Sequence, residues 1–252
     1  MIEVRNISKN FEGNPVLNDI RTRFEPGKCN LIIGRSGSGK TVLLKAVVGL
    51  IDVDEGEIWY ADQEFTRMGP RQKQEMRKQM GMLFQGGALF DSLSVEENVM
   101  FPLHMLTRQS KLEKQKRVDF CLDRVHVAGT NDLHPSALSG GMRKRVAIAR
   151  AMALNPKYLF CDEPNSGLDP ETGNVIDQLI REITHEFGMT TLVNTHDMNS
   201  VLEIGDRVTF IHEGRIHWEG TNRDILQSDN ETLQHFVFAT RMAQHMKEGL
   251  GQ

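Results

Sequence analysis

The chain has 252 residues, generous for one domain and short for two, so its length favours one large α/β unit that can bury its own core. Thirty Lys and Arg against 34 Asp and Glu give a formal net charge of −4, which argues against a protein whose main business is coating nucleic acid; 39% hydrophobic and 25% charged residues describe a folded chain and exclude a disordered one. Three widely separated cysteines, Cys29, Cys121 and Cys161, form no CxxC pair, so neither a zinc site nor a secreted disulfide framework is expected and a reducing compartment fits best.

In chain order, IEVRNI (2–7) and the alternating VLNDIRTRF (16–24) read as strands, and NLIIG (30–34) as a short buried strand. Glycines follow at once, and VLLKAVVGL (42–50) reads as a buried helix ending near Gly49. Glu3 precedes any apolar stretch, so no signal peptide is expected. The longest apolar run, 42–51, is interrupted by Lys45 and falls short of the roughly 18 to 20 residues of a membrane span. The chain is therefore expected to be soluble by itself and to reach a membrane only by docking on something that spans it. GEIWY (56–60) reads as another strand, and RQKQEMRKQMGMLFQ (71–85) as a charged helix turning into an apolar strand that ends at Gln85.

From Leu93 to about Pro135 the pattern is helical and polar, with KLEKQKRVDFCLDRV (111–125) as a surface helix packed on one face. MRKRVAIARAMAL (142–154) follows as an amphipathic helix, then YLFCD (158–162) as a buried strand, ETGNVIDQLIREITHEFG (171–188) as a helix and TTLVNTH (190–196) as a strand. DRVTFIHEGRIHWEG (206–220) reads as two strands around a turn, and residues 230–249 as a terminal helix. Strand and helix alternate, so the sheet should be mostly parallel.

Gly34, Arg35, Ser36, Gly37, Ser38, Gly39, Lys40 and Thr41 complete a G-x-x-x-x-G-K-[ST] phosphate loop between a strand and a helix. Its backbone N–H groups can curl around phosphate oxygens, Lys40 can reach the β- and γ-phosphates, and the Thr41 hydroxyl can ligate Mg²⁺. Downstream, Asp162 and Glu163 end an apolar strand, Asp162 being the metal-side candidate and Glu163 the candidate that deprotonates the attacking water. Ser139, Gly140 and Gly141 precede a long helix, where they serve either as an ordinary cap or as an anion-binding N-terminus.

Phosphate loop, LSGGM, a strand ending in Asp-Glu, SGLD and His196, in this order, resemble an ATP-binding-cassette (ABC) ATPase over nearly the whole chain. The resemblance implies an α/β phosphate-loop core with an antiparallel N-terminal β subdomain. It implies one domain over 1–252, with a helical subdomain at about 86–137 and a C-terminal helix at about 231–248. It further implies ATP and Mg²⁺ as ligands and a head-to-tail homodimer in which Ser139 and Gly141 of one subunit close over the γ-phosphate held by the other. Gln85 matches the glutamine that contacts Mg²⁺ or the water, with a polar strand end as its plainer reading. Asp169 matches the aspartate that crosses the dimer, or it simply caps the helix behind Pro170. His196 matches the histidine that contacts the γ-phosphate. Phe11 matches the aromatic that stacks on adenine, in place of the commoner tyrosine, or it is a core residue.

The stretch GMLFQGGALFDSLSVEENVMFPL (81–103) looks like the corresponding region of the Mla and Mce-type lipid transporter ATPases, and Met142, where most importers carry glutamine, agrees. Asn165 and Ser166 depart from the usual DEPTTGLDP. This likeness implies a peripheral subunit on the cytoplasmic face of a bacterial inner membrane, an integral-membrane permease, a periplasmic Mce-domain partner and no nucleic acid. Phe84, Leu89, Phe90 and Leu93 either line the groove for a permease helix or pack inside. An ATPase of another importer, such as one for amino acids, is the alternative. A soluble ABC protein of DNA repair or translation fits less well, because the 98 residues from Lys40 to Leu138 leave no room for a long coiled-coil arm.

Overall fold

The computed structural model describes residues 1–238. Strands β1 (Ile2–Phe11), β2 (Asn14–Phe24) and β3 (Cys29–Ile33) lead into helix α1 (Lys40–Val48), followed by β4 (Glu55–Tyr60), β5 (Gln63–Glu64), α2 (Pro70–Arg77) and β6 (Met80–Leu83). Helices α3 (Val95–Leu106), α4 (Lys111–Arg124) and α5 (Gly140–Met152) come next, then β7 (Tyr158–Asp162), α6 (Pro170–Phe187) and β8 (Thr190–Thr195). Helix α7 (Met198–Ile204), the hairpin β9 (Arg207–His212) and β10 (Arg215–Gly220), and α8 (Glu231–Val237) complete the described chain.

The chain divides into two compact units. The first comprises Met1–Glu25, Cys29–Thr66 and the chain from Asn194 onward. It holds an antiparallel sheet in the order β2-β1-β4-β5 and the run β10-β9-β3, in which β3 and β9 are parallel. All five residues of β3 are buried, which explains its unbroken apolar sequence: a parallel strand covered on both faces has no polar side to show. Leu31, Ile32 and Ile33 have no exposed surface, and burial of such a side chain contributes roughly 1.5–3 kcal/mol. Helix α1 buries Leu43, Leu44, Ala46, Val47 and Val48, so it is covered nearly all round.

The second unit spans Pro26–Lys28 and Arg67–Val193. Strand β7, again buried at all five residues, pairs in parallel with β6. Helices α3, α4 and α5 pack on one another, and α5 also packs on β6 and α6. Capping boxes open α3, where Ser94 and Glu97 exchange bonds, and α4, where Ser110 and Glu113 do so. As expected for a helix packed on one face, α4 buries Val118, Cys121 and Leu122 and exposes most of its charges.

The structure departs from the sequence reading at the end of β6 and at α7. The strand expected to end at Gln85 stops at Leu83, because a turn with Gly87 N–H bonded to Phe84 O takes over. Helix α7 was not anticipated; only seven residues long, it starts where Asp197 accepts the N–H of Asn199. Of the terminal helix expected at about 231–248, Glu231–Val237 is helical, and 239–248 lies outside the described residues.

Candidate functional site

In the first unit the chain leaves β3 through residues 34–39 and enters α1 at Lys40. Two glycines fix this path sterically. A Cβ on Gly34 would lie 2.2 Å from the carbonyl oxygen of Ile211, and one on Gly39, at φ +105, would lie 2.9 Å from that of Val16. Gly37 has nothing within 4 Å of its missing Cβ, so the loop is braced at both ends and open in the middle. Lys40 is 6% exposed, and its ammonium donates to the carbonyls of Gly34 at 2.8 Å and Arg35 at 3.1 Å. The Ser38 hydroxyl is buried without a hydrogen-bond partner among the described residues. Ser36 is exposed, and Thr41 follows as the second residue of α1.

A buried ammonium, an orphaned hydroxyl and an open glycine at a helix N-terminus fit a polyphosphate, whose oxygens accept from all three kinds of donor. Phe11, the last residue of β1, is 41% exposed and carries Lys9 5.5 Å from its ring centroid, so it is not the core residue its isolation suggested. His196 is exposed immediately after β8.

In the second unit β7 delivers Asp162, 8% exposed, and the chain turns at Glu163, which holds the left-handed φ of +50. For a glutamate this conformation costs of order 1–3 kcal/mol, supported here by the turn bond from Ser166 N–H to Glu163 O at 3.1 Å. Gln85 is exposed, and its side-chain amide donates to Ser166 Oγ at 3.2 Å. The structure thus joins Gln85 to the turn that carries Glu163. Asn165 donates to Asp177, 1% exposed, at 2.7 Å. Both positions that depart from DEPTTGLDP therefore make side-chain bonds of their own.

Ser139 is exposed and caps α5 by accepting the N–H of Met142 at 3.2 Å, while Gly141 lies where a Cβ would meet Thr172 Cγ2 at 2.6 Å. Gly140 stands between them as the first residue of α5. Asp169 caps α6, accepting the Thr172 hydroxyl at 2.6 Å and its N–H at 2.9 Å, and these two bonds hold its carboxyl below the usual aspartate range. Phe84 and Phe90 are 41% and 42% exposed, as surface residues rather than core.

Sequence reasoning missed Lys144 and Arg150, which α5 turns toward the loop after β6. Lys144 donates to the carbonyl of Gln85, and Arg150 to those of Ala88 at 2.8 Å and Gly87 at 2.9 Å. Burial lowers the proton affinity of both, opposed at Lys144 by the negative potential of Cys161 and Glu163. The available signal was a lysine on the apolar side of an amphipathic helix.

No cluster of three His, Cys, Asp or Glu side chains among the described residues could hold a metal by itself. Thr41, Gln85 and Asp162 offer a hydroxyl, an amide oxygen and one carboxylate, donors that suit Mg²⁺, which keeps waters and substrate phosphates in its shell. No helix among the described residues is long and apolar enough to cross a membrane.

A braced phosphate loop opening a helix, on an α/β fold with parallel strands, defines a nucleoside-triphosphate-binding protein. The family model described as ABC transporter matches residues 17–166, and the chain belongs to that family. It is an ABC ATPase subunit. It is 37% identical over 237 residues to the intermembrane phospholipid transport system ATP-binding protein MlaF of Haemophilus influenzae, covering 94% of this chain and 90% of that protein. It is 36% identical to the methionine import ATP-binding protein MetN of Clostridioides difficile, covering 94% and 74% of the two chains. It is 37% identical to the sulfate/thiosulfate import ATP-binding protein CysA 1 of Agrobacterium fabrum, covering 94% and 67%. Among solved structures, a dimeric ATP-binding cassette in a post-hydrolysis state with ADP and Pi superposes with a TM-score of 0.80 at 31% identity, covering 88% of this chain and 99% of that one. The cbiO1 protein of Clostridium perfringens, part of the transporter complex cbiONQ, gives 0.85 at 28% identity, covering 98% of each.

Proposed function

We propose that this ATPase powers phospholipid movement between bacterial envelope membranes, as a homodimer docked on the cytoplasmic side of an integral-membrane permease with an Mce-domain partner. Identity to the phospholipid, methionine and sulfate transport proteins is nearly equal, so the overall match does not separate these substrates. What supports the lipid reading is local: residues 81–103 and Met142 resemble the corresponding positions of the Mla and Mce-type ATPases. Exposed Phe84 and Phe90 in that stretch are available to a permease helix.

In this reading the phosphate loop holds the triphosphate, with Gly34, Ser36, Gly37, Ser38 and Gly39 supplying the cradle and Lys40 the cation. Phe11 offers its face to adenine. Thr41, Asp162 and Gln85 would hold Mg²⁺, which when bound neutralises developing charge on the phosphate oxygens. Glu163 takes the proton of the attacking water, and His196 donates to the γ-phosphate. Ser139, Gly140 and Gly141 complete the site of a second copy, and Asp169 lies at the seam between copies.

The test is reconstitution with an Mce-type permease complex in liposomes. Expected is ATP-dependent transfer of labelled phospholipid, lost in Glu163→Gln. ATP turnover that couples to methionine or sulfate uptake with an importer permease, and never to lipid transfer, would replace this reading.

A further inference from the structure

We propose that Lys144 is a positioning residue for Gln85: from the second turn of α5 its ammonium fixes the Gln85 carbonyl, holding the glutamine loop and the helix opened by LSGGM in one geometry. The inference rests on the reading of Gln85 as a residue of the hydrolytic site. Three hydrogen bonds run in series through this unit. Lys144 donates to Gln85 O, the Gln85 amide donates to Ser166 Oγ at 3.2 Å, and Ser166 N–H donates to Glu163 O at 3.1 Å. Gln85 is therefore held at both ends, its backbone by α5 and its side chain by the turn that sets Glu163.

Lys144 is only 5% exposed, and burying an ammonium is costly enough that a methionine or leucine of similar volume would pack there at less expense. A buried lysine whose ammonium binds a backbone carbonyl, on a loop where that carbonyl belongs to a site residue, has a positioning task that an apolar residue could not perform. Arg150 extends the same attachment by taking the carbonyls of Gly87 and Ala88, so two side chains of α5 bind three of the four backbone carbonyls from Gln85 to Ala88, all but that of Gly86. The loop lies close on the helix: a Cβ on Gly87 would stand 3.7 Å from that of Ala147. The consequence is that a shift of α5 is passed to Gln85 without rearrangement of the loop.

The experiment compares Lys144→Met and Lys144→Arg with wild type, reading amide hydrogen exchange of residues 85–90 without nucleotide and steady-state ATP hydrolysis. For Lys144→Met the expected result is about fivefold faster exchange in the loop, kcat lowered about tenfold and KM for ATP within about twofold, because the phosphate loop is untouched. Lys144→Arg, which retains a cationic donor, should restore both protection and most of kcat. The proposal is overturned if Lys144→Met keeps wild-type kcat, if KM rises in its place, or if the arginine variant is as impaired as the methionine one. Should Lys144→Met fail to fold, Ser166→Ala, which cuts the far end of the same chain of bonds, must show the same kcat-selective loss or the proposal falls. Gln85→Ala separates the two layers. Wild-type turnover there removes the reading of Gln85 and this inference with it, whereas impaired Gln85→Ala beside unimpaired Lys144→Met removes the positioning role alone.

Discussion

Glu163 combines a strained backbone with a chemical task. Its φ of +50 follows a strand buried at every residue, so the turn leaves the sheet abruptly and carries the carboxylate out of the apolar layer. Glutamine has the same shape and pays the same conformational cost, so Glu163→Gln changes the proton acceptor without changing the turn. ATP affinity should stay within about twofold by titration calorimetry, while kcat falls by about 10²- to 10⁴-fold, the range of a lost general base. Turnover near the wild-type rate would assign the proton to another group. Lys40→Ala is the opposite case. It deletes a buried ammonium from the loop itself, so it should weaken ATP binding at least about tenfold, and unchanged affinity would mean that the lysine serves only its own loop carbonyls.

At the scale of elements, the segment between β6 and α3 has little regular structure and is held by side chains. Asn98, with no exposed surface, accepts the N–H of Phe90 at 2.8 Å and donates to the carbonyls of Phe90 at 3.1 Å, Leu93 at 3.2 Å and Ser94 at 2.9 Å. Asn98→Ala should therefore cost about 2–3 kcal/mol, since it strands several part-buried backbone groups at once, and urea unfolding should show it as a lower midpoint. A loss below about 0.5 kcal/mol would mean that water replaces the amide without penalty. Asn98 also marks the limit of what the sequence discloses. The phosphate loop and the buried strands β3 and β7 are legible because residue spacing and unbroken apolar runs mark them. Asn98, Lys144 and Arg150 act on backbone carbonyls brought near by folding, and no periodicity encodes which carbonyl that will be. The pair Asn165 and Ser166 was visible only as a departure from a pattern; its meaning came from Asp177 and Gln85, residues 12 and 81 positions away.

At the scale of the molecule, the question is whether Ser139 acts on its own chain or on a second one. In the single chain its hydroxyl has one job, capping α5. Aspartate caps helices as well as serine does, so Ser139→Asp should leave α5 and the fold intact while placing a negative charge at the exposed helix N-terminus. If that terminus faces a triphosphate bound by a partner, the carboxylate repels it. A two-fold dimer contains the substitution twice, so a penalty of about 2 kcal/mol per site becomes about 4 kcal/mol, roughly a thousandfold in the dimer dissociation constant. Measured on a Glu163→Gln background, where hydrolysis cannot dissolve the complex, ATP should still bind each monomer within about twofold; light scattering should show an ATP-dependent dimer with Ser139 intact and none with Ser139→Asp. A dimer that forms at the same ATP concentration with Asp at this position would place Ser139 outside the nucleotide seam and leave it a helix cap.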